Sequence, residues 1–398
     1  MTDLPFPLKI PGDNEFQALC ATLWDWQVCD GCVEAPSQPC RRAQCPWQRA
    51  YKLRGFFQYY KALTSSYVPE SLFSSTPALS CHNDILSIVK LIQTHPDASR
   101  SSITKSFGHP AKHGSSPVAS SAPLPEDKDR AFDMAVRIAL MVNCSNDCAG
   151  GGLLELGTRP VTWDTSMSRE HFMRMAFPQT AYPTLEENDY SSRSRQIFSG
   201  LRATRLQKIA GLRFCPTDDL HNHLRLDHRA GTVDIYHHTA VLKEHLMCSA
   251  AKHNSDSEKC HELIPRQLAL EVIDSIQKVL FPSDIQSQGL LRSLVRKQGF
   301  DEDCLRYESS TYRLARETET TYSYFGARLV DLYEEVTNPT PRGLLEKWLA
   351  PRSGARHVMM VTLAGVFIAI VLGFLGLGVQ IFQAWMTYKQ LRLSAAAS

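Results

Sequence analysis

Four cysteines in the N-terminal part of the chain have the spacing of a metal site. They follow the pattern Cys29-x2-Cys32-x7-Cys40-x4-Cys45, in which the close first pair can supply two ligands from one turn. Four thiolates suit the tetrahedral coordination of Zn²⁺. The alternative interpretation is a loop of partly buried free thiols. We predict a structural zinc site with these four residues as its ligands.

A series of histidines between residues 221 and 261 could supply a different kind of metal site. They include His221, His223, His228, His237, His238, His245 and His261. The opening His-x-His pair is similar to the start of a metal-dependent hydrolase motif, where the metal activates water. The later spacings match neither a zincin nor a di-iron bundle, and such histidines are commonly packing or helix-end residues. A metal-dependent enzyme is therefore the alternative function.

The elements that would position these residues are mainly helical. Apolar residues recur at helical spacing in residues 1–93, on both sides of the cysteines, and again in residues 127–340. Between them, residues 94–126 are rich in serine and proline, which predicts a disordered linker or loop that joins two domains or interrupts one. Two alternating runs that flank a glycine predict one small β-hairpin near residues 224–236. The predicted fold class is mainly α.

A long apolar segment occupies residues 358–384. Its first 22 residues, 358–379, contain no charged side chain. At about 1.5 Å per residue, a helix of this length crosses the roughly 30 Å hydrocarbon core of a bilayer. We predict a transmembrane helix here, followed by a short tail at residues 385–398. The preceding segment, residues 341–357, is amphipathic and basic, which favours contact with anionic lipid headgroups.

Basic residues lie mainly on the N-terminal side of the apolar segment. They are Arg342, Lys347, Arg352 and Arg356 before it, against Lys389 and Arg392 after it. This asymmetry predicts a cytosolic body and a tail-anchored protein. The endoplasmic reticulum or another endomembrane is the favoured location, with the mitochondrial outer membrane as the alternative. Because the cytosol is reducing, most of the 12 cysteines are expected to be buried thiols or metal ligands.

Small residues recur at every fourth position within the predicted membrane helix. They are Gly365, Ala369 and Gly373. A face of this kind lets a second helix approach closely, although glycines are common in membrane helices generally. The pattern predicts self-association or a membrane-protein partner, in addition to contact with the lipid bilayer.

The overall charge argues against a nucleic-acid partner. The chain has 43 basic and 41 acidic residues, so its formal net charge is only +2. Proteins that bind nucleic acids carry a clustered basic excess. We therefore expect no nucleic-acid partner.

Four short motifs mark the later part of the chain. They are Asp-Leu-His-Asn-His-Leu at 219–224, Ile-Tyr-His-His-Thr-Ala at 235–240, Leu-Ile-Pro-Arg-Gln-Leu at 263–268 and Arg-Ser-Gly-Ala-Arg at 352–356. Together they resemble a family of uncharacterised fungal proteins with a single C-terminal transmembrane helix, over residues 180–385. The resemblance implies the same architecture and implies no activity, cofactor or catalytic residue.

The sequence as a whole predicts a protein held at a membrane that does no chemistry of its own. The exposed linker and the amphipathic segment before the membrane helix suit an interaction or scaffold protein. The alternative is a metal-dependent enzyme that uses the histidines of residues 221–261.

Overall fold

Helices dominate the structure, which confirms the predicted fold class. The computed structural model describes residues 8–35, 40, 42, 44–69, 76–107, 122–146, 160–182, 197–253, 262–317, 320–340 and 354–395. The helices in these ranges are α1 (Asp13–Trp24), α2 (Asp30–Glu34), α3 (Arg54–Ser65), α4 (His82–Thr94), α5 (Arg100–Ser106), α6 (Pro125–Leu140), α7 (Arg169–Ala176), α8 (Ala203–Ile209), α9 (Thr239–His253), α10 (Arg266–Asp274), α11 (Ile285–Gln298), α12 (Ser309–Tyr312), α13 (Gly326–Thr337) and α14 (Gly354–Ala395). Short 3-10 helices lie at Pro46–Leu53, Leu220–Asn222 and Glu302–Leu305, and a π-helical turn at Ser275–Leu280 extends α10.

The chain divides into two units, which are described separately. Residues Met1–Thr340 form one compact unit, the body, and Pro341–Ser398 form the second. Within the body, α4 packs against both α1 and α6. Helices from before and after the predicted linker therefore share one core, and the linker interval interrupts a single body.

The prediction of a disordered linker over residues 94–126 is wrong for the part that the structure describes. Helix α5 lies inside this interval, and α6 already begins at Pro125. The side chain of Arg100, on α5, is fully buried and pairs with Asp129 at 2.8 Å and Asp133 at 2.7 Å on α6. These two ion pairs attach α5 to α6. The segment is therefore ordered, although its serine-rich composition is typical of disorder. Residues 108–121 lie outside the described residues.

The main sheet contains the predicted hairpin and one strand more. Strands β1 (Cys144–Ser145) and β2 (Val161–Thr162) form a small parallel pair, and β3 (Arg213–Thr217), β4 (Arg225–Asp227) and β5 (Thr232–Tyr236) form the main sheet. Antiparallel pairing of β4 with β5 confirms the hairpin. Strand β3 adds to the other side of β5 in parallel, in the order β3-β5-β4. Pro216 interrupts the usual strand pattern, which an edge strand tolerates.

A buried carboxylate fixes the last helix of the body. Glu271 on α10 accepts hydrogen bonds from the backbone N–H groups of Ser323, Tyr324 and Phe325, at 2.8, 2.9 and 3.0 Å. Burial raises the pKa of Glu271, although these N–H groups oppose the shift. The three donors directly precede α13. The backbone N–H groups at the start of a helix have no partner within the helix, and a carboxylate stabilises them. Glu271 therefore holds α13 against the interior of the body.

Helix α14 is the whole described part of the second unit. It contains the stretch Thr362–Lys389, 28 residues with exposed side chains, of which an 18-residue segment has a mean hydropathy of 2.4. This stretch is long and apolar enough to cross a membrane, and it covers most of the predicted span. Residues 341–353, which hold most of the predicted amphipathic segment, lie outside the described residues.

Candidate functional site

The four cysteines predicted as zinc ligands meet in space. The Sγ atoms of Cys29, Cys32, Cys40 and Cys45 all lie within 4.8 Å of one another. Two of these atoms, those of Cys29 and Cys40, are 3.7 Å apart. A tetrahedral zinc site with bonds of 2.3 Å places its sulfur ligands about 3.8 Å apart. The segment from Cys29 to Cys45, called the cysteine loop below, therefore has the dimensions of such a site.

Backbone groups surround the sulfur atoms of the cysteine loop. A hydrogen bond from the backbone of Cys32 lowers the pKa of the Cys29 thiol to about 7. Burial raises the pKa of the thiols of Cys32 and Cys45. Bound zinc requires thiolates, and its positive charge is what makes several adjacent thiolates stable.

Two glutamines attach the cysteine loop to its surroundings. Gln17 on α1 donates from Nε2 to the carbonyl oxygen of Cys32 at 2.8 Å. Gln48 donates to the carbonyl oxygens of Cys40 at 3.2 Å and Arg42 at 2.8 Å. The two halves of the loop are thus held by different side chains, one before the loop and one after it.

The cysteine loop lies between two residues that converge on a buried glutamate of α9. Trp26 precedes the loop and donates from Nε1 to Oε2 of Glu244 at 3.1 Å. Arg49 follows the loop and binds both oxygens of Glu244, at 2.8 and 2.9 Å. The guanidinium of Arg49 also lies 5.2 Å from the centre of the Trp26 ring. The loop therefore connects the two chain segments that contact Glu244.

A second polar cluster lies at one end of the main sheet. Strands β3 and β5 are parallel, and Thr217 pairs with Tyr236 at the last position of the register. The next residues of both strands therefore leave the sheet side by side. Oδ1 of Asp218 lies 3.1 Å from Nε2 of His237 and 2.7 Å from Nε2 of His238. These three side chains offer ligand atoms within 4.8 Å of one another.

Hydrogen bonding at His237 disfavours a metal ion in this second cluster. The backbone N–H of Asp301 donates to Nδ1 of His237 at 3.1 Å. The neutral ring then carries its proton on Nε2, which faces Asp218. A metal would need the lone pair of that same Nε2 atom. The short His237–Asp218 distance is explained by a hydrogen bond, and burial lowers the pKa of His237.

His238 lies between two carboxylates. Its Nδ1 atom is 3.6 Å from Oδ2 of Asp301, opposite the contact with Asp218. The ring is buried, which lowers its pKa, but the interactions with the two carboxylates outweigh burial and raise the pKa above its usual value. The carboxylates on both sides of the ring therefore favour the protonated form of His238. Asp218, His237, His238 and Asp301 are called the His–Asp cluster below.

A cleft of about 750 Å³ opens beside the His–Asp cluster. Its walls carry Lys52, Arg54, Arg296 and Arg306 as well as Asp301, Glu302 and Asp303. A cleft of this size with charged groups of both signs can hydrogen-bond a polar small molecule. His237 and His238 both line this cleft, and histidine is the side chain whose ordinary pKa lies nearest neutrality.

Three other histidines, His221, His223 and His245, lie in or beside the core, whereas His228 is exposed, with its Nδ1 3.2 Å from Oε2 of Glu335. Nε2 of His223 lies 2.7 Å from Oγ of Ser275, and its Nδ1 accepts the backbone N–H of Tyr236 at 3.2 Å. Burial lowers the pKa of His221 to about 4 and that of His245 to about 3, so both are neutral near pH 7.

The predicted His-x-His pair therefore does not join the His–Asp cluster. His261 lies outside the described residues. Sequence reasoning missed Asp218 and Asp301, because the parallel pairing of β3 with β5 and the packing of the 3-10 helix Glu302–Leu305 bring them to the histidines.

One further cysteine departs from expectation. Cys248 on α9 is disulfide-bonded, whereas a reducing compartment predicts free thiols. The cysteines of the loop are free, as are Cys20, Cys81, Cys144, Cys215 and Cys304.

The predicted association face lies on α14. A side-chain carbon added at Gly365 or Gly373 would meet no described atom within 4 Å, apart from the neighbouring backbone of α14 itself. Both positions are open to a second helix, and association through Gly365, Ala369 and Gly373 stays a prediction.

Comparison with known proteins finds no family model, no curated protein and no solved structure that matches this chain. The resemblance to a fungal membrane-protein family stays a prediction.

Proposed function

We propose that the protein is a single-pass membrane protein whose helical body is an interaction or scaffold module. The observation that carries the proposal is the stretch Thr362–Lys389 of α14, 28 residues with exposed side chains, of which an 18-residue segment has a mean hydropathy of 2.4. Leaving large apolar side chains in water costs about 1.5–3 kcal/mol for each one relative to burial. A bilayer removes this cost for the whole stretch at once.

The charges around the helix support an orientation. Arg342, Lys347, Arg352 and Arg356 precede it, and basic residues are retained on the cytosolic side. The proposal therefore includes a tail-anchored arrangement with a cytosolic body, in the endoplasmic reticulum or another endomembrane, and with the mitochondrial outer membrane as the alternative.

The way the body uses its charged groups supports an interaction role. Buried charges on different helices pair with one another: Arg100 with Asp129 and Asp133, and Arg49 with Glu244. These groups fix helices in place and are engaged within the body. A rigid body held at a membrane is suited to presenting a binding surface.

Two fusion proteins test the anchor and its orientation. The full chain with a glycosylation acceptor after residue 398 should resist extraction by alkaline carbonate and should become glycosylated, because the tail enters the lumen. A fusion that ends at residue 340 should be released. Membrane retention of the shorter chain would refute the anchor. In a further fusion, the acceptor is placed before residue 8 and not at the C-terminus. Glycosylation of that acceptor would refute the cytosolic body.

Proximity labelling tests the interaction role. The full chain is compared with residues 341–398 alone, each fused to the same labelling enzyme at its N-terminal end. A body that recruits partners should enrich a reproducible set of proteins at least several-fold over the anchor alone. Identical sets from the two fusions would overturn the proposal.

The second candidate is a metal-dependent enzyme, and the proximity of Asp218, His237 and His238 beside a cleft is what favours it. The hydrogen bond from Asp301 to His237 opposes it. A metal ion that is bound by the wild-type chain and lost on replacing His237 and His238 by Gln would replace the scaffold proposal.

A further inference from the structure

We propose that Cys29, Cys32, Cys40 and Cys45 bind one zinc ion, and that this ion is a structural part of the body. All four ligands come from the protein, so the coordination is closed and leaves no position for a substrate or a reactive water. The site is independent of the proposed membrane role.

The distances fit one centre. The four Sγ atoms lie within 4.8 Å of one another, and the sulfur pair of Cys29 and Cys40 is 3.7 Å apart, close to an edge of a zinc tetrahedron. Two disulfides would divide the four sulfurs into two bonded pairs. All four are free thiols in the structure, and their mutual proximity points to a shared ion.

The local backbone prepares the site. Cys29 precedes α2 and Cys32 lies within it, so one helical turn presents two sulfurs on the same side. The backbone N–H groups of Cys32 and Val33 both donate to the carbonyl oxygen of Cys29, at 2.9 and 3.1 Å. Cys45 stands at the start of the 3-10 helix Pro46–Leu53 and is buried. Regular structure therefore begins next to the ligands on both sides.

The ligand set selects the metal. Four thiolates in a tetrahedral arrangement suit Zn²⁺ or iron, and they exclude the hard cations Mg²⁺ and Ca²⁺, which take oxygen ligands. The proposal assigns zinc, and elemental analysis distinguishes it from iron.

The consequence for the body follows from what flanks the loop. Trp26 and Arg49 stand on either side of it and share Glu244 as partner. An ion that closes the loop restrains the distance between Trp26 and Arg49. It therefore reduces the conformational entropy that the chain loses when both residues contact Glu244. The zinc ion thus attaches the N-terminal segment to α9.

The test measures metal in the purified full chain in detergent, by elemental mass spectrometry and by native mass spectrometry. The wild type should carry one zinc ion per chain. The double variant Cys29→Ser/Cys32→Ser should lose at least nine-tenths of it. The matched control Cys81→Ser/Cys215→Ser removes two free cysteines outside the loop and should keep the zinc, as should His237→Gln.

A second measurement keeps the test decisive where the double variant does not fold. The wild-type chain is treated with a strong chelator, and tryptophan fluorescence and the midpoint of thermal unfolding are followed. Chelation should remove the zinc, lower the midpoint and change the emission of the tryptophans around the loop, and added zinc should restore all three. Cobalt in place of zinc should give the absorption of a tetrahedral tetrathiolate site.

Three results would overturn the proposal. One is a wild-type chain without metal whose loop cysteines are free thiols or disulfides by mass. Another is iron in place of zinc. The last is zinc retained in Cys29→Ser/Cys32→Ser.

Discussion

The cysteine loop and the His–Asp cluster look alike by distance and differ in where their protons lie. In the cysteine loop, and among Asp218, His237 and His238 of the cluster, potential ligand atoms fall within 4.8 Å of one another. The sulfurs of the loop face one another, whereas Nε2 of His237 and Nε2 of His238 both face the carboxylate of Asp218. Hydrogen bonds explain the second cluster without a cation. Proximity of potential ligands alone is thus insufficient evidence for a metal site. For a histidine, the hydrogen-bond partner of one ring nitrogen determines whether the other nitrogen has a lone pair available for a metal.

The largest effect is expected from crowding the His–Asp cluster. A Cβ atom at Gly55 on α3 would lie 2.1 Å from Oδ2 of Asp301. Gly55→Ala should move this carboxylate away from His238 and weaken the capping of the 3-10 helix after it, at a cost of about 3 kcal/mol in the free energy of unfolding. Chemical denaturation of the body measures the loss.

Gly289→Ala is the matched control for this variant. Gly289 is also helical, on α11, but a side-chain carbon there would meet no atom within 4 Å. Alanine should stabilise this position by about 0.5–1 kcal/mol through its higher helix propensity. Equal effects of the two substitutions would show that the contact with Asp301 is unimportant.

A smaller effect is expected on the side of the cysteine loop. Glu244→Gln keeps the size of the side chain but removes the charge that Arg49 and Trp26 share. We expect a loss of about 2 kcal/mol, because Glu244 is buried while Arg49 is partly exposed and stays hydrated. Chemical denaturation gives the free energy of unfolding with and without zinc. The difference between these two values should be smaller for Glu244→Gln than for the wild type.

Glu302→Gln provides the comparison for Glu244→Gln. Glu302 is exposed, so the same substitution should change the free energy of unfolding by less than about 0.5 kcal/mol. A zinc contribution unchanged by Glu244→Gln would contradict the idea that the ion acts through this glutamate.

The smallest effect concerns pH. The folded-state pKa of His238 is raised above the unfolded value of about 6.5, so its stabilisation is complete below that pH and is lost as pH rises through the folded pKa. The stability difference between the wild type and His238→Gln should therefore fall as pH rises above about 6.5. Buried His245 has a lowered pKa, so its contribution is lost in the opposite direction, as pH falls below about 6.5.

NMR of the His238 ring provides an independent check of this sign. Its titration should occur above the usual value for histidine, while His245 should stay neutral to about pH 4 or lower. A pKa of His238 below about 6.5 would contradict the conclusion that the two carboxylates favour its protonated form.

The sequence was informative where the relevant contacts are local. The spacing of four cysteines within one loop, the 224–236 hairpin and the apolar helix each depend on residues close in the chain, and all three patterns correspond to features of the structure. The cluster around His238 instead joins Asp218 with Asp301. No local pattern marks that pair, because parallel strand pairing and helix packing create the contact.

Composition led to a wrong prediction of disorder at one place, again because a tertiary contact determines the structure there. Residues 100–106 look disordered because they belong to an interval rich in serine and proline and contain three serines themselves. Arg100 is nevertheless the most buried arginine side chain among the described ion pairs. Its partners Asp129 and Asp133 are one helical turn apart on α6, a spacing that is common on exposed helix faces. Only the tertiary contact distinguishes this arrangement from an ordinary charged surface.

The length of α14 has a consequence for how the helix can cross a membrane. The 28 residues from Thr362 to Lys389 extend about 42 Å as a helix, against roughly 30 Å for an average hydrocarbon core. The polar residues Gln380, Gln383 and Lys389 all lie in the last ten positions of this stretch. In a bilayer, the excess length would therefore be accommodated by helix tilt or by placing these last turns at the level of the headgroups.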